Sequence, residues 1–155
     1  MGEEQIQTNS MKKEWLKSYV SLRMESERLD EKLARMKNKE KIPARRMGDE
    51  SKHTGTTGDS LQCRINDRVE YEEWALPFIE SARQKMKAIE DAINALHDPL
   101  EREVLRMRYI EGEFYKQMPW WKVSIKLFGD DDERHIQATH RAHSKALQHI
   151  RGLNT

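Results

Sequence analysis

Two long stretches of the chain repeat a side-chain pattern at alternating intervals of three and four residues. The first set is Trp15, Tyr19, Leu22, Ser26, Leu29, Leu33 and Met36, and the second is Leu61, Ile65, Arg68, Glu72, Ala75, Ile79, Ala82, Met86, Ile89, Ile93 and Leu96. An α-helix brings such positions onto one face, and mostly apolar faces of this kind bury their area by packing together. The pattern therefore predicts two coiled-coil-type helices within residues 10–97.

The second stripe has a weak middle. Arg68 and Glu72 occupy seam positions, and Pro77 should kink or break the helix because proline lacks a backbone donor. Residues 41–60, between the stripes, are rich in polar groups, glycine and proline and are expected to form a flexible linker. A linker of this length lets the helices fold back as a hairpin, the arrangement we expect, but the sequence also leaves open a homodimer through the heptad helices.

Residues 98–151 carry the start and stop signals of three shorter helices, expected over 98–112, 120–128 and 133–150. Asp98 can cap the first of them, with Pro99 at the first helical position. Glu101 would complete a capping box, and Gly112 would supply a left-handed stop. A short helix, a glycine-containing turn and a longer basic helix together predict a helix-turn-helix domain in an all-α protein.

Three segments of this domain resemble the signature of sigma-70 region 4-like domains. They are 105–112 (LRMRYIEG), 120–124 (WWKVS) and 143–150 (HSKALQHI). The pattern is most similar to that of small phage and prophage transcription regulators of Gram-positive bacteria, which place a long charged helical segment before the domain. The resemblance implies a three-helix DNA-binding domain, RNA polymerase as a partner and a location in the bacterial cytoplasm.

The last predicted helix has two unlike faces. Ile136, His140, His143, Leu147 and Ile150 form one stripe, with Ala146 beside it, and are expected to face the core. Basic and amide side chains occupy the opposite stripe. Arginine can contact guanine, glutamine can contact adenine and lysine can hold a phosphate. The candidate DNA-binding residues are Lys122, Lys126, Arg134, His135, Gln137, Arg141, Ser144 and Lys145.

Composition and residue spacing argue against several other classes of site. The net charge is only +1, and Cys63 is the only cysteine, so neither an intrachain disulfide nor a cysteine-based zinc site is possible. The histidines lack convincing metal-ligand spacing, and no nucleophile-and-base set or phosphate-binding glycine loop is present. We therefore expect no catalytic site, no cofactor, no metal and no membrane partner in a soluble, intracellular protein.

Two other functions fit the same pattern. A small terminase subunit of a DNA-packaging motor also combines a helix-turn-helix with coiled helices, and it would assemble as a ring. A coiled-coil adaptor would bind only protein through its helices. The oligomeric state separates the regulator from the packaging subunit, and DNA binding separates both from the adaptor.

Overall fold

The computed structural model describes residues 2–41 and 56–153, and within these the side chains of 8–41 and 60–153. Every regular element in these ranges is helical, which confirms the all-α prediction. The helices are α1 (Gly2–Lys41), α2 (Thr56–Asn94), α3 (Pro99–Leu105), α4 (Trp120–Phe128) and α5 (Glu133–His149), and α3 continues into a π-helical turn, Arg106–Ile110. The three C-terminal helices thus begin at or within one residue of their predicted starts, and α4 and α5 also end close to their predicted ends.

The start of α3 has the predicted Asp98 cap but not the predicted capping box. The Asp98 carboxylate accepts a hydrogen bond from the Leu100 backbone N–H at 2.9 Å, and Pro99 is the first helical residue. Glu101, only 4% exposed, does not close a capping box in the described part of the chain. Its carboxylate oxygens lie 2.9 and 3.0 Å from Nδ1 of His149, so it joins the start of α3 to the end of α5.

Helix α2 is longer and more continuous than the sequence indicated. It begins at Thr56, so residues 56–60 of the expected linker are helical, whereas 42–55 lie outside the described residues. The helix also continues through Pro77, and the predicted break is wrong. Proline removes one backbone donor, and at this exposed position water can reach the carbonyl that is left without its bond.

The described residues form two compact units, and their division differs from the expected boundary at residue 98. The first unit contains the residues up to Met24 and those from Arg83 onward, and the second contains those between. The core of the first unit draws on α1, α2, α3 and α5: Leu16, Tyr19, Ile89, Ala92, Ile93, Leu96, Leu105, Tyr109, Ala146, Leu147 and Ile150. Ends of both long helices therefore cover apolar area of α3, its π-helical turn and α5.

Two cations of α1 tie this unit together. The Lys12 ammonium donates to the Leu147 carbonyl at 2.7 Å, near the end of α5. The Arg23 guanidinium donates to the carbonyls of Ile110, at 2.7 Å, and Gly112. Carbonyls in the last turn of a helix lack helical partners, so both contacts satisfy groups that would otherwise need water or another cap.

In the second unit, α1 and α2 pair as an antiparallel hairpin. Leu29, Ala75 and Ile79 form its apolar cluster. Nε of Arg68 lies 2.5 Å from Glu40, and Nη1 lies 3.0 Å from Glu72, which also pairs with Lys37 at 3.4 Å. The charged side chains that weakened the predicted seam are therefore paired with each other and with charges on α1.

Candidate nucleic-acid interface

The turn between α4 and α5 is held by local hydrogen bonds. Gly129 ends α4 with a left-handed backbone (φ 89°), and its N–H donates to the Ile125 carbonyl at 2.9 Å. The buried Ser124 hydroxyl donates to the Asp130 carbonyl at 2.8 Å. The Asp132 carboxylate accepts the Glu133 N–H at 2.9 Å and caps α5. This turn therefore fixes the direction in which α5 leaves α4.

The inner face of α5 is rotated relative to the predicted stripe. Its buried residues are Thr139, Ala142, His143, Ala146 and Leu147. His140 was expected in the core but is exposed, with its ring 4.6 Å from that of Trp120, and Ile136 is only half-buried. The rotation brings the small residues Thr139 and Ala142 into the interior. Thr139 can be buried there because its hydroxyl donates a hydrogen bond to the His135 carbonyl at 2.8 Å.

The outer face of α5 brings together five of the candidate DNA-binding residues, and all are exposed: Arg134, Gln137, Arg141, Ser144 and Lys145. Nε of Arg134 lies 3.5 Å from the Asp132 carboxylate. The Arg134 side chain is nevertheless 88% exposed, and an ion pair this open to water contributes little. The guanidinium can therefore exchange this partner for another anion at small cost.

The other three candidates have different surroundings. Lys122 is half-buried in the first turn of α4, and the exposed Lys126 has its ammonium 3.6 Å from Glu111. His135 is directed away from the outer face, because its Nδ1 bonds to the Asp130 carboxylate and its ring stacks on Phe128 at 5.3 Å. The hydrogen bond from His135, helped by the Asp132 N–H, lowers the pKa of Asp130.

A buried polar contact lies directly behind the outer face. The Tyr109 hydroxyl is 2.7 Å from Nε2 of His143, and the Trp120 ring meets the imidazole edge-on at 4.7 Å. Burial raises the pKa of Tyr109 to about 12 and lowers the pKa of His143 to about 3. Both side chains are therefore neutral near pH 7 and join α5 to the π-helical turn without a buried charge.

Arg108, which lies within segment 105–112 and was not singled out from the sequence, has a structural role. Its guanidinium lies 4.3 Å from the Trp120 ring centroid and donates to the Met118 carbonyl at 2.5 Å. Burial lowers its pKa, and Nε has no hydrogen-bond partner among the described atoms. No local signal in the sequence distinguishes Arg108 from an exposed arginine, because its partners Met118 and Trp120 lie ten or more residues further along the chain.

Comparisons with protein-family models, with curated proteins and with solved structures found no match to this chain. Within the described ranges, no helix combines the length and apolar character needed to cross a membrane. The same residues contain no group of three or more histidine, cysteine or carboxylate side chains placed to hold a metal ion.

Proposed function

We propose that this protein is a sequence-specific DNA-binding transcription regulator of a phage or prophage, and that it reads double-stranded DNA with α5. The observation that carries the proposal is the single exposed face formed by Arg134, Gln137, Arg141, Ser144 and Lys145, opposite the buried face of the same helix. This face of α5 carries both side chains suited to phosphates and side chains suited to base edges.

The dimensions of α5 fit the major groove. The groove is about 12 Å wide and admits an α-helix, and a helix of 17 residues is about 25 Å long. Arg134, Gln137 and Arg141, in the first half of α5, are assigned to base edges. Lys145, one turn beyond Arg141, is assigned to the phosphate backbone.

Carboxylates near the start of α5 would repel phosphates if they were free. Two of them are engaged within the turn: Asp130 bonds to His135, and Asp132 caps the helix. Negative charge at this position is also favoured by the helix dipole. The basic outer face therefore remains the part of the domain best suited to approach DNA.

The resemblance to sigma-70 region 4-like regulators supports the remaining parts of the proposal. The helix-turn-helix formed by α4 and α5 binds promoters, and the protein acts with RNA polymerase in the cytoplasm of a bacterial host.

A footprint across the genome of the native host would define the site, and titrations on that duplex and a scrambled duplex would test the proposal. We expect salt-sensitive binding that the Arg134→Ala/Arg141→Ala double variant weakens by at least about tenfold. Lys85→Ala, which removes an exposed charge from α2, is the matched control. Wild-type protein without salt-sensitive binding would contradict the proposal and favour the adaptor, whereas a DNA-binding ring would favour the packaging subunit.

A further inference from the structure

A row of aromatic side chains runs along α2 in the second unit. Tyr71, Trp74 and Phe78 follow one another at intervals of three and four residues, so they share one side of the helix. The Tyr71 and Trp74 rings are 5.8 Å apart. Trp74 is 62% exposed and Phe78 37%, although these are the largest apolar side chains of this part of α2. We call these three residues the aromatic row.

Only Tyr71 of the aromatic row packs against the seam that holds the hairpin together, whereas Trp74 and Phe78 are exposed beside it. Ala75 and Ile79 of α2 pack against Leu29 of α1 in this seam, and Ala82 and Leu33 are also buried. Alanine and aliphatic residues thus line the interior, while a tryptophan and a phenylalanine are exposed beside it. Leaving this apolar area in water loses the stabilisation that its burial would provide, and such patches mark interaction surfaces.

Helix α1 presents basic side chains on the same side of the hairpin. The Lys32 ammonium lies 4.7 Å from the Tyr71 ring centroid, which places Lys32 beside the aromatic row. Arg28 and Arg35 precede and follow it by four and three residues, so they share its helix face, and all three are exposed. We call Arg28, Lys32 and Arg35 the basic row.

On α2 the aromatic row continues into two acidic residues. Asp67 and Glu70 precede Tyr71 and Trp74 by four residues each and are exposed. One side of the hairpin therefore carries a basic row on α1 and, parallel to it, an aromatic and acidic row on α2. Such a surface is complementary to a second copy of itself, provided that the basic row of each copy faces the aromatic and acidic row of the other.

We propose that this side of the hairpin is the contact surface for a second copy of the chain. A two-fold axis parallel to the helices sets α1 of each copy against α2 of the other, so that basic row meets aromatic row twice. The ion pairs of Glu40 with Arg68 and of Lys37 with Glu72 fix the register inside each hairpin. At that register Arg35 of one copy lies level with Glu70 and Trp74 of the other.

The chemistry of this contact favours a second copy over other occupants. Arginine and lysine over aromatic rings give cation–π attraction, and tryptophan, tyrosine and arginine are the residue types most enriched among energetic hot spots. Asp67 and Glu70 disfavour nucleic acid on this side. The homodimer through the heptad seams, which the sequence left open, is not available to this hairpin, because Leu29 and Ile79 of the seam are already buried within one chain.

Sedimentation of the full chain over a range of concentrations tests the proposal. We expect a monomer–dimer equilibrium whose dissociation constant rises at least about tenfold in the Trp74→Ala/Phe78→Ala variant. Helix content by circular dichroism should stay unchanged, since both side chains are largely outside the core. Trp121→Ala removes an indole that is 53% exposed on α4 and should leave dimerisation unchanged. A wild-type protein that is monomeric at every concentration would overturn the proposal. So would a dimer whose dissociation constant is the same in the wild type and the double variant.

A charge exchange provides a second test that does not depend on removing apolar area. Arg35→Glu and Glu70→Arg should each weaken the dimer, and the two together should restore it, because the opposite charges meet again with reversed positions. Two single losses without restoration would show that Arg35 and Glu70 do not meet, which would contradict this arrangement of the two copies. Arg141→Ala should leave the dimer intact, so this test and the test of DNA binding can fail independently.

Discussion

The hydroxyl of Tyr109 and Nε2 of His143 share a hydrogen bond of 2.7 Å across 34 residues of sequence, inside the first unit. Each is the other's hydrogen-bond partner in a place where the protein excludes most water. Because burial moves both pKa values away from neutrality, the contact stays uncharged over the physiological range. The position of α5 thus depends on a polar contact that is sensitive to acid and to the loss of either group.

Acid should destabilise the protein through His143. Its pKa is lowered from 6.5 to about 3 in the folded state, so between these values the unfolded chain binds more protons, and stability falls as pH falls. The contribution approaches about 1.4 kcal/mol per pH unit in that window. Urea denaturation at a series of pH values should show this slope in the wild type and a shallower slope in His143→Gln. The lowered pKa of Asp130 affects stability near and below 3.8, so it adds to the effect of His143 only at the acid end of this window. Equal slopes in the two proteins would contradict the expectation.

Tyr109→Phe should destabilise the first unit without changing its shape. The substitution removes one oxygen and leaves Nε2 of His143 buried with no partner, a loss of about 1–3 kcal/mol in the free energy of unfolding. Tyr115→Phe is the matched control, because Tyr115 is exposed. Thermal unfolding should separate the two variants clearly. A Tyr109→Phe protein as stable as the control would mean that this hydrogen bond adds nothing.

Gly112 and Gly129 should respond differently to asparagine. Gly129 has a positive φ with open space where a Cβ would lie, and asparagine tolerates that backbone. A Cβ on Gly112 would lie 2.2 Å from the Lys116 carbonyl oxygen, so the backbone must shift there. We expect Gly129→Asn to cost under about 1 kcal/mol and Gly112→Asn to cost more than about 2 kcal/mol. Urea denaturation measures both, and the reverse order would refute this account.

Replacing Arg141 and replacing Lys145 should weaken DNA binding in different ways as well as by different amounts. Arg141→Ala should weaken the cognate site by about 1–3 kcal/mol and relax preference at one base pair. Lys145→Ala should weaken all sequences alike and make the salt slope shallower by nearly one unit, since one fewer counterion is released. Titrations at several salt concentrations distinguish the two. If binding survives both changes, α5 is not the element that contacts DNA.

A fragment of residues 98–155 should not fold. It lacks Leu16, Tyr19, Ile89 and Ile93, which belong to the same core as Leu105 and Leu147. Circular dichroism of this fragment should show far less helix than the same residues have in the full chain, with no cooperative thermal transition. A stably folded fragment would restore the domain boundary expected from the sequence.

Local signals predicted the local structure well. Asp98, Pro99 and the glycine-containing turn at 129–132 marked helix ends that the structure confirms, because caps and turns are satisfied within a few residues. Gly112 was interpreted as a left-handed stop, which is wrong, since the described glycines with a positive φ are Gly129 and Gly152. Gly112 is needed instead for the close approach of a backbone carbonyl, a contact that no helix-end rule describes.

Contacts between distant residues could not be predicted in the same way. The periodicity of α5 correctly separated Arg141 and Lys145 from Leu147, because a helix face repeats with the sequence. It could not show that the carboxylate of Glu101 meets His149, or that the first part of α1 completes the core. Those contacts depend on where the chain returns, and the role of the outer face in binding DNA stays a prediction.

The hydrogen bond from Lys12 to the Leu147 carbonyl spans 135 residues of sequence. During synthesis, the start of α1 leaves the ribosome long before the residues that complete its core exist. The apolar side chains of α1, Leu16 and Tyr19 among them, cannot be buried until the residues of α5 have been synthesised. Formation of the core of the first unit is therefore a late step that depends on long-range contacts. A ribosome that stalls before the last helix therefore leaves a product with an open core, which is a substrate for chaperones and proteases.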